Sequence, residues 1–239
     1  MTYFNRIDTK AALLDRPIWS ALTTCLAPIA ERMGTARAFP QKIGPLAAAA
    51  SYETFPDFMS LMTHRKEPLI TVEIDTPRLA QQCLPEDHVH GVQMIGHFPA
   101  KPQNSHKIQD LTKTHATQIF DLAKRTKPGP FASQSHTLGD FIGIFDGPHL
   151  IAMAGQRLKL PGFIEISAVC VDPSFQGCGM GAELVRQMSE RILDRGDVPF
   201  LHAYERNMAA ISLYQCLGFQ QRARLEVTNW VNNAAVQYD

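Results

Sequence analysis

The sequence predicts an α/β (α+β) fold, and three observations carry that prediction. In the second half, apolar runs of strand length are joined by tight turns. A glycine-rich loop then leads from a strand into a helix. After it, segments of strand and helix period alternate to the end. With 239 residues the chain suits one large or two small domains. The run Phe98-Pro99-Ala100-Lys101-Pro102-Gln103-Asn104-Ser105 breaks any period. The expectation is an N-terminal lobe over residues 1–100 and a second domain over 107–239.

The first half gives weaker signals. A helix is expected around Trp19–Met33, interrupted by Pro28, and another from Phe55 to His64. Leu69–Ile74 reads as a strand on its β-branched content, ended by Asp75-Thr76-Pro77. Residues 78–91 read as a short helix and loop, and Gly91–His97 as a strand. In the second half, Thr112–Arg125 carries an apolar stripe of helical period and Pro128 ends it. Phe141–Phe145, His149–Leu158 and Phe163–Val171, turned by Asp146-Gly147-Pro148 and Pro161-Gly162, predict an antiparallel meander. Gly179–Asp194 follows as a helix, Pro199–Tyr204 as a strand, Asn207–Leu217 as a helix stopped by Gly218, and Phe219–Val231 as the last strand.

Composition excludes several classes. Lys+Arg and Asp+Glu both number 23 and balance within each half, 10 of each over residues 1–106 and 13 of each over 107–239, so no polyanion-binding face or polybasic membrane patch is expected. No apolar run is long enough to span a bilayer, and the N-terminus lacks an apolar signal core. A cytoplasmic protein with no nucleic-acid or membrane partner is the expectation. The five cysteines are scattered and never spaced C-x-x-C, which argues against a disulfide framework or a cysteine zinc site. His88 and His90 lie among Pro85, Glu86, Asp87 and Gly91 and read as solvated loop histidines; no metal is expected.

The segment richest in chemistry is Val169-Cys170-Val171-Asp172-Pro173-Ser174-Phe175-Gln176-Gly177-Cys178-Gly179-Met180-Gly181-Ala182. Glycines let backbone N–H groups approach an anion without a Cβ between them, and a helix start adds unpaired N–H groups and the positive end of its dipole. A pyrophosphate is the natural occupant; the plainer alternative is a flexible strand–helix connection. Gly177, Gly179 and Ala182 also fit a dinucleotide fingerprint. In that fold, however, the turn follows the strand at once, whereas Asp172–Gln176 intervene here.

These residues resemble the GNAT superfamily of acyl-CoA-dependent N-acetyltransferases over about residues 107–231. The family motif Gln/Arg-x-x-Gly-x-Gly/Ala is matched by Gln176-Gly177-Cys178-Gly179-Met180-Gly181. Strand Ile164–Val171 ending in Val-Asp-Pro, the helix opening Asn207-Met208-Ala209-Ala210-Ile211-Ser212-Leu213-Tyr214, and Leu217-Gly218-Phe219 agree in order and spacing. The resemblance implies a mixed, largely antiparallel sheet flanked by helices, with acetyl-CoA as co-substrate. It also implies that strands Phe163–Val171 and Pro199–Tyr204 run parallel and splay at the glycine-loop end, so that the pantetheine arm bonds the backbone of Val169 and Val171. The cofactor-binding set it implies is Val169, Cys170, Val171, Gln176, Gly177, Cys178, Gly179, Met180, Gly181, Ala182, Asn207, Ala210 and Tyr214. Residues 1–100 would be a degenerate second copy of the fold or a family-specific cap.

Each candidate has a plainer alternative. Tyr214 is implied as the acid that protonates the departing thiolate, or else it is a core tyrosine. Asn207 holds the cofactor, caps its helix, or both. Glu165 is the only acid on an apolar strand, where strict alternation would group it with Phe163, Ser167, Val169 and Val171. It is either a base for the attacking ammonium or a solvent-facing carboxylate. His202, on one face with Phe200 and Tyr204, is a rival base or a satisfied sheet histidine. A nucleophilic role for Cys170 or Cys178 is not expected, because no basic neighbour is apparent. The loop Thr126–Phe131 with Ser133–His136 is expected to line the acceptor site. The activity expected is acetyl transfer to a primary amine of a small molecule, amino acid or peptide. The alternatives are a non-catalytic acyl-CoA sensor and a dinucleotide-dependent oxidoreductase.

Overall fold

The computed structural model describes residues 10–51, 53–65, 67–74, 85–96 and 106–231, with the backbone alone for 85–88. The expected boundary at 98–105 and the helix expected from residue 78 lie outside these. The chain divides into two compact units. One comprises Met1–Gln41, Pro45–Gly91 and Ala223–Asp239; the other comprises Lys42–Gly44 and Val92–Arg222.

In the first unit, helix α1 is Pro17–Thr23, with its proline in the first turn where the missing N–H is not needed. Only this part of the helix expected over Trp19–Met33 forms. Pro28 leaves a short 3₁₀ turn, Ala27–Ile29, and the chain then extends as β1, Glu31–Met33. β1, β2 (Ala36–Ala38) and β3 (Ala47–Ala48) make a small antiparallel sheet. Helix α2 spans Phe55–His64, the range the sequence predicts. Strand β4, Leu69–Glu73, pairs antiparallel with Glu226–Trp230. Phe58, Leu61, Met62, Leu69 and Trp230 close the core, and the Trp230 indole N–H donates to Thr71 Oγ1 at 3.0 Å.

The second unit carries the site. Its strands are β5 (Pro85–Gly96, from Val92), β6 (Ile108–Leu111), β7 (Phe141–Asp146), β8 (His149–Leu160), β9 (Phe163–Val171) and β10 (Val198–Tyr204). Their order is β5-β10-β9-β8-β7-β6. The meander β6 to β9 is antiparallel, and β9–β10 is parallel. Helix α3 is Ala116–Thr126, after a 3₁₀ turn at Lys113–His115 that shortens the expected Thr112–Arg125. With Phe141, Leu150, Met153, Ala168 and Cys170, its Ile119, Leu122 and Ala123 bury one face of the sheet. The opposite face is covered by α4 (Met180–Asp194) and α5 (Met208–Cys216). Leu184, Val185, Met188, Ile192, Ile211 and Tyr214 pack there on Ile164, Ile166 and Leu201. The last strand, β11, is Phe219–Trp230.

Two expectations are corrected here. Pro85–Gly91 is the start of β5 and not loop, so His88 and His90 are strand residues; the acids and proline that suggested a turn are carried on an extended backbone. Strict alternation on β9 also fails. Met153 pairs with Cys170 but Gly155 pairs with Ser167, so Ala168 and Val169 together face Ala154. Ala168 takes φ +52° at this bulge. Before it, Ile164 and Ile166 face α4; after it, Val169 and Val171 do, while Ala168 and Cys170 turn to α3. An inserted residue exchanges the faces of a strand in this way. Val169 and Val171 therefore do not share the face of Glu165.

Candidate active site

Parallel pairing of β10 with β9 covers only Val198↔Phe163, Pro199↔Ile164 and Phe200↔Glu165. Beyond that point β9 runs on to Val171, still paired to β8, and β10 runs on to Tyr204. The two strands therefore part at Glu165, as the resemblance implies, and β9 leaves backbone groups from Ile166 to Val171 without ladder partners on β10. Buried backbone groups of this kind need a partner.

The splay opens toward the glycine loop. Asp172 accepts from Ser174 N–H at 3.1 Å and closes a 3₁₀ turn, Pro173–Phe175. Gln176 reaches back, its Nε2 donating to Val171 O at 3.4 Å. Gly177 and Gly179 follow at φ +81° and +76°, where a side chain would strain the backbone, and a Cβ on either would meet no atom within 4 Å. Gly181 has room for a Cβ, which would sit 3.7 Å from Val171 Cγ2. Gly179 is the N-cap of α4 and supplies no side-chain cap bond. The N–H groups of the first turn, at Met180, Gly181 and Ala182, thus lack intrahelical acceptors and stand at the positive end of a 15-residue helix. Conformation, open space and donors together fit a pyrophosphate. Cys178, within the loop, is exposed.

Helix α5 brings in the next group. Asn207 Oδ1 accepts from Ala210 N–H at 3.1 Å, an N-cap bond that leaves its amide Nδ2 unused by the cap. Tyr214 is 8% exposed, and its ring lies 6.2 Å from that of Phe219. Burial pushes its hydroxyl up to about 12, with Cys170 close enough to add to the effect. Burial likewise raises the Cys170 thiol to about 11, the reverse of what a nucleophile needs.

On the α3 face, where the strands part, lies a polar chain that sequence reasoning found only in part. Glu165 is 1% exposed, so it does not face solvent. Arg157 and Leu158 together oppose it at a second bulge, between Gln156↔Ile166 and Lys159↔Ile164. That bulge turns both toward the carboxylate. Arg157 Nε donates to Oε2 at 2.9 Å and Nη2 to Oε1 at 2.6 Å, and Leu158 N–H donates to Oε2 at 3.3 Å. His202 Nδ1 is 2.7 Å from Oε1. Burial alone would raise the Glu165 pKa, but the Arg157 guanidinium and His202 overcome it and hold the carboxyl down at about 2. His202 Nε2 is 3.1 Å from Gln93 Nε2, and Gln93 Oε1 accepts from Arg222 Nη1 at 3.0 Å. Arg157, Gln93 and Arg222 were not among the sequence candidates. Arg157 did carry a signal, as a cation on a largely apolar strand across the Pro161-Gly162 hairpin from the lone acid. Gln93 and Arg222 carried none.

The loop after α3 is anchored. Lys127 takes φ +49° and ends the helix, Phe131 packs edge-on to Phe141 with ring centroids 6.2 Å apart, and Ser135 Oγ donates to Ile43 O at 2.6 Å.

Sheet, splay and glycine cradle define an acyltransferase, and comparison with known proteins agrees. The FR47-like protein family matches residues 141–231. The chain is 37% identical to the N-alpha-acetyltransferase RimI of Mycobacterium tuberculosis over 125 residues, 48% of this chain and 78% of that one. It is 30% identical to the mycothiol acetyltransferase of Thermobispora bispora over 118 residues, 48% of this chain and 40% of that one. A crystal structure of a GNAT-family acetyltransferase from Novosphingobium aromaticivorans DSM 12444 aligns with TM-score 0.86 and 31% identity, over 92% of this chain and 98% of that one. The chain belongs to the GNAT family of acetyltransferases and is an N-acetyltransferase. Among the described residues no helix is long and apolar enough to cross a membrane.

Proposed function

We propose that the protein transfers an acetyl group from acetyl-CoA directly to a primary amine of a small molecule, amino acid or peptide. The observation that carries this reading is the end of β9–β10 pairing at Phe200↔Glu165, on the strand that leads into the glycine loop. Acetyl-CoA, when bound, supplies an acyl carbon activated as a thioester and a thiol leaving group. The N–H groups of the Gln176–Ala182 segment would hold its pyrophosphate, and Gly177 and Gly179 permit the backbone to do so. The backbone edge of Val169, Cys170 and Val171 left without ladder partners on β10 would pair with the pantetheine arm, and an N–H near Val169 would donate to the developing oxyanion. Asn207 and Ala210, at the start of α5, would border the same arm.

Tyr214 would act as the general acid, since a hydroxyl with a raised pKa stays protonated at neutral pH. Glu165 was an expected base, but a carboxylate held at about 2 accepts protons poorly at neutral pH. In our reading it orients His202 and stabilises the imidazolium, and His202 takes the proton from the acceptor's ammonium. The loop Thr126–His136 would form the acceptor wall. The first unit would contribute no second cofactor site, whether it is a degenerate copy or a cap.

The test is release of free thiol from acetyl-CoA across an amine library that includes peptide α-amines and small-molecule amines. Those two classes come first because the relatives are named for them. Thiol release that depends on at least one amine is expected, together with thermal stabilisation by acetyl-CoA and none by NADH or NADPH. Stabilisation by acetyl-CoA with no turnover on any amine would support the sensor alternative instead.

A further inference from the structure

The polar chain at the splay fixes a protonation state. An arginine has only donors, so the Gln93 atom that faces Arg222 Nη1 at 3.0 Å must be the amide oxygen. The amide NH₂ group therefore faces His202 Nε2, 3.1 Å away. A donor in that position requires a lone pair on Nε2. The ring proton consequently sits on Nδ1 and is donated to Glu165 Oε1 at 2.7 Å. Glu165 is itself held by both Arg157 donors and by Leu158 N–H. Gln93 is fully buried, a costly place for an amide unless its hydrogen bonds are made.

We propose that Gln93 is a positioning residue: backed by Arg222, its amide fixes His202 as the neutral Nδ1–H tautomer and covers the Nε2 lone pair until the acceptor's ammonium takes its place. The inference rests on the reading of His202 as the base. The ammonium donates one N–H to Nε2, and that proton moves to the ring. The ring becomes an imidazolium whose Nδ1–H still faces the Glu165 carboxylate. The freed amine lone pair forms the bond to the acyl carbon, and the carbon–sulfur pair leaves on sulfur, which takes the Tyr214 proton. The second proton lost by the nitrogen restores Tyr214, and His202 gives its proton to solvent. The balance is one amide, one thiol and one released proton. No oxidant or further reactant is needed.

The groups around the imidazole are few among the described residues. Glu165 of β9 faces Nδ1, with Arg157 of β8 behind it and Tyr204 of β10 near Arg157. Gln93 of β5 faces Nε2, with Arg222 of β11 behind it. The Phe200 ring packs edge-on, its centroid 5.5 Å away. A carboxylate in place of the Gln93 amide would favour the imidazolium and so raise the pH at which His202 becomes a base.

Ring-nitrogen NMR of ¹⁵N-histidine-labelled protein, with His202 assigned by loss of its signals in His202→Gln, reads the tautomer directly. The parent should show protonated Nδ1 and unprotonated Nε2. A protonated Nε2 in the neutral ring would overturn the proposal whatever the kinetics say, and this measurement needs no variant of Gln93. In kinetics with a confirmed amine, Gln93→Glu should move the acidic limb of the kcat/KM–pH profile upward by at least about one unit. On the acidic side of that limb activity should fall about tenfold, and it should return at higher pH. A folded Gln93→Glu protein with an unmoved limb would also overturn it, since a merely structural glutamine would lower activity evenly across pH. His202→Gln separates the two ideas. If it keeps turnover within twofold of the parent, His202 is not the base and the kinetic proposal falls with that reading; the tautomer measurement then still decides whether Gln93 sets the ring.

Discussion

Tyr214 meets two requirements at one position. Its ring belongs to the core under α5, and its hydroxyl keeps its proton because burial raises its pKa to about 12. Tyr214→Phe retains the ring and deletes the hydroxyl alone. General acid catalysis contributes typically about 10²–10⁴-fold, and a thiol is a good leaving group, so turnover should fall by about 10–100-fold with little change in cofactor affinity. Steady-state kinetics with a confirmed amine checks this; turnover within twofold of the parent would remove Tyr214 from the mechanism. Glu165 makes a prediction about stability. Its folded pKa, about 2, lies below the ordinary value of 4.5. Folding thus favours the ionised form, and the contribution is fully present above pH about 4.5 and is lost as pH falls through about 2. Glu165→Gln also leaves the partly buried Arg157 without its anion, so its melting temperature should lie below the parent's at pH 7. The gap should narrow from pH about 4.5 downward. Thermal melts of both proteins across that range test it, and a gap constant with pH would contradict the assigned ion pair.

At the scale of elements, the bulge on β9 decides which face meets the cofactor. Ala168, at φ +52° and buried, sustains a conformation that costs an L-residue about 1–2 kcal/mol and that a β-branched side chain adopts still less readily. Ala168→Val should therefore destabilise by at least about 1–2 kcal/mol in chemical denaturation, and it should weaken acetyl-CoA binding because Val169 follows the bulge. A neutral effect on both would mean that the bulge has no part in the site. This feature was invisible in the sequence because an alanine carries no mark of a left-handed conformation, whereas Gly177 and Gly179 advertise theirs. The hairpins of β7, β8 and β9 were legible because turn residues separate apolar runs. β6 was missed: Ile108-Gln109-Asp110-Leu111 is a short edge strand with exposed polar residues, and it lacks the alternation that reveals a longer one. The cradle was legible because it is local, a strand, three glycines and a helix start in one stretch of chain. The chain from Arg157 to Arg222 was not, because His202 and Gln93 lie 109 positions apart in sequence and meet only through sheet order.

At the scale of the whole molecule, the sequence has one glycine-rich anion loop, at Gln176–Ala182, and none between residues 1 and 106. The chain should bind one acetyl-CoA. Gly179 is the residue on which that binding turns. A side chain there would force φ +76° on a residue that resists it and would project into the open space beside the α4 N-terminus. Valine adds β-branching to both effects. Calorimetric titration of acetyl-CoA into the parent and Gly179→Val is the measurement that tests the account most directly. The account predicts one site per chain, with affinity in the folded variant lowered at least about tenfold, or about 1.4 kcal/mol. Unchanged affinity in a folded Gly179→Val protein, or two sites per chain in the parent, would contradict it.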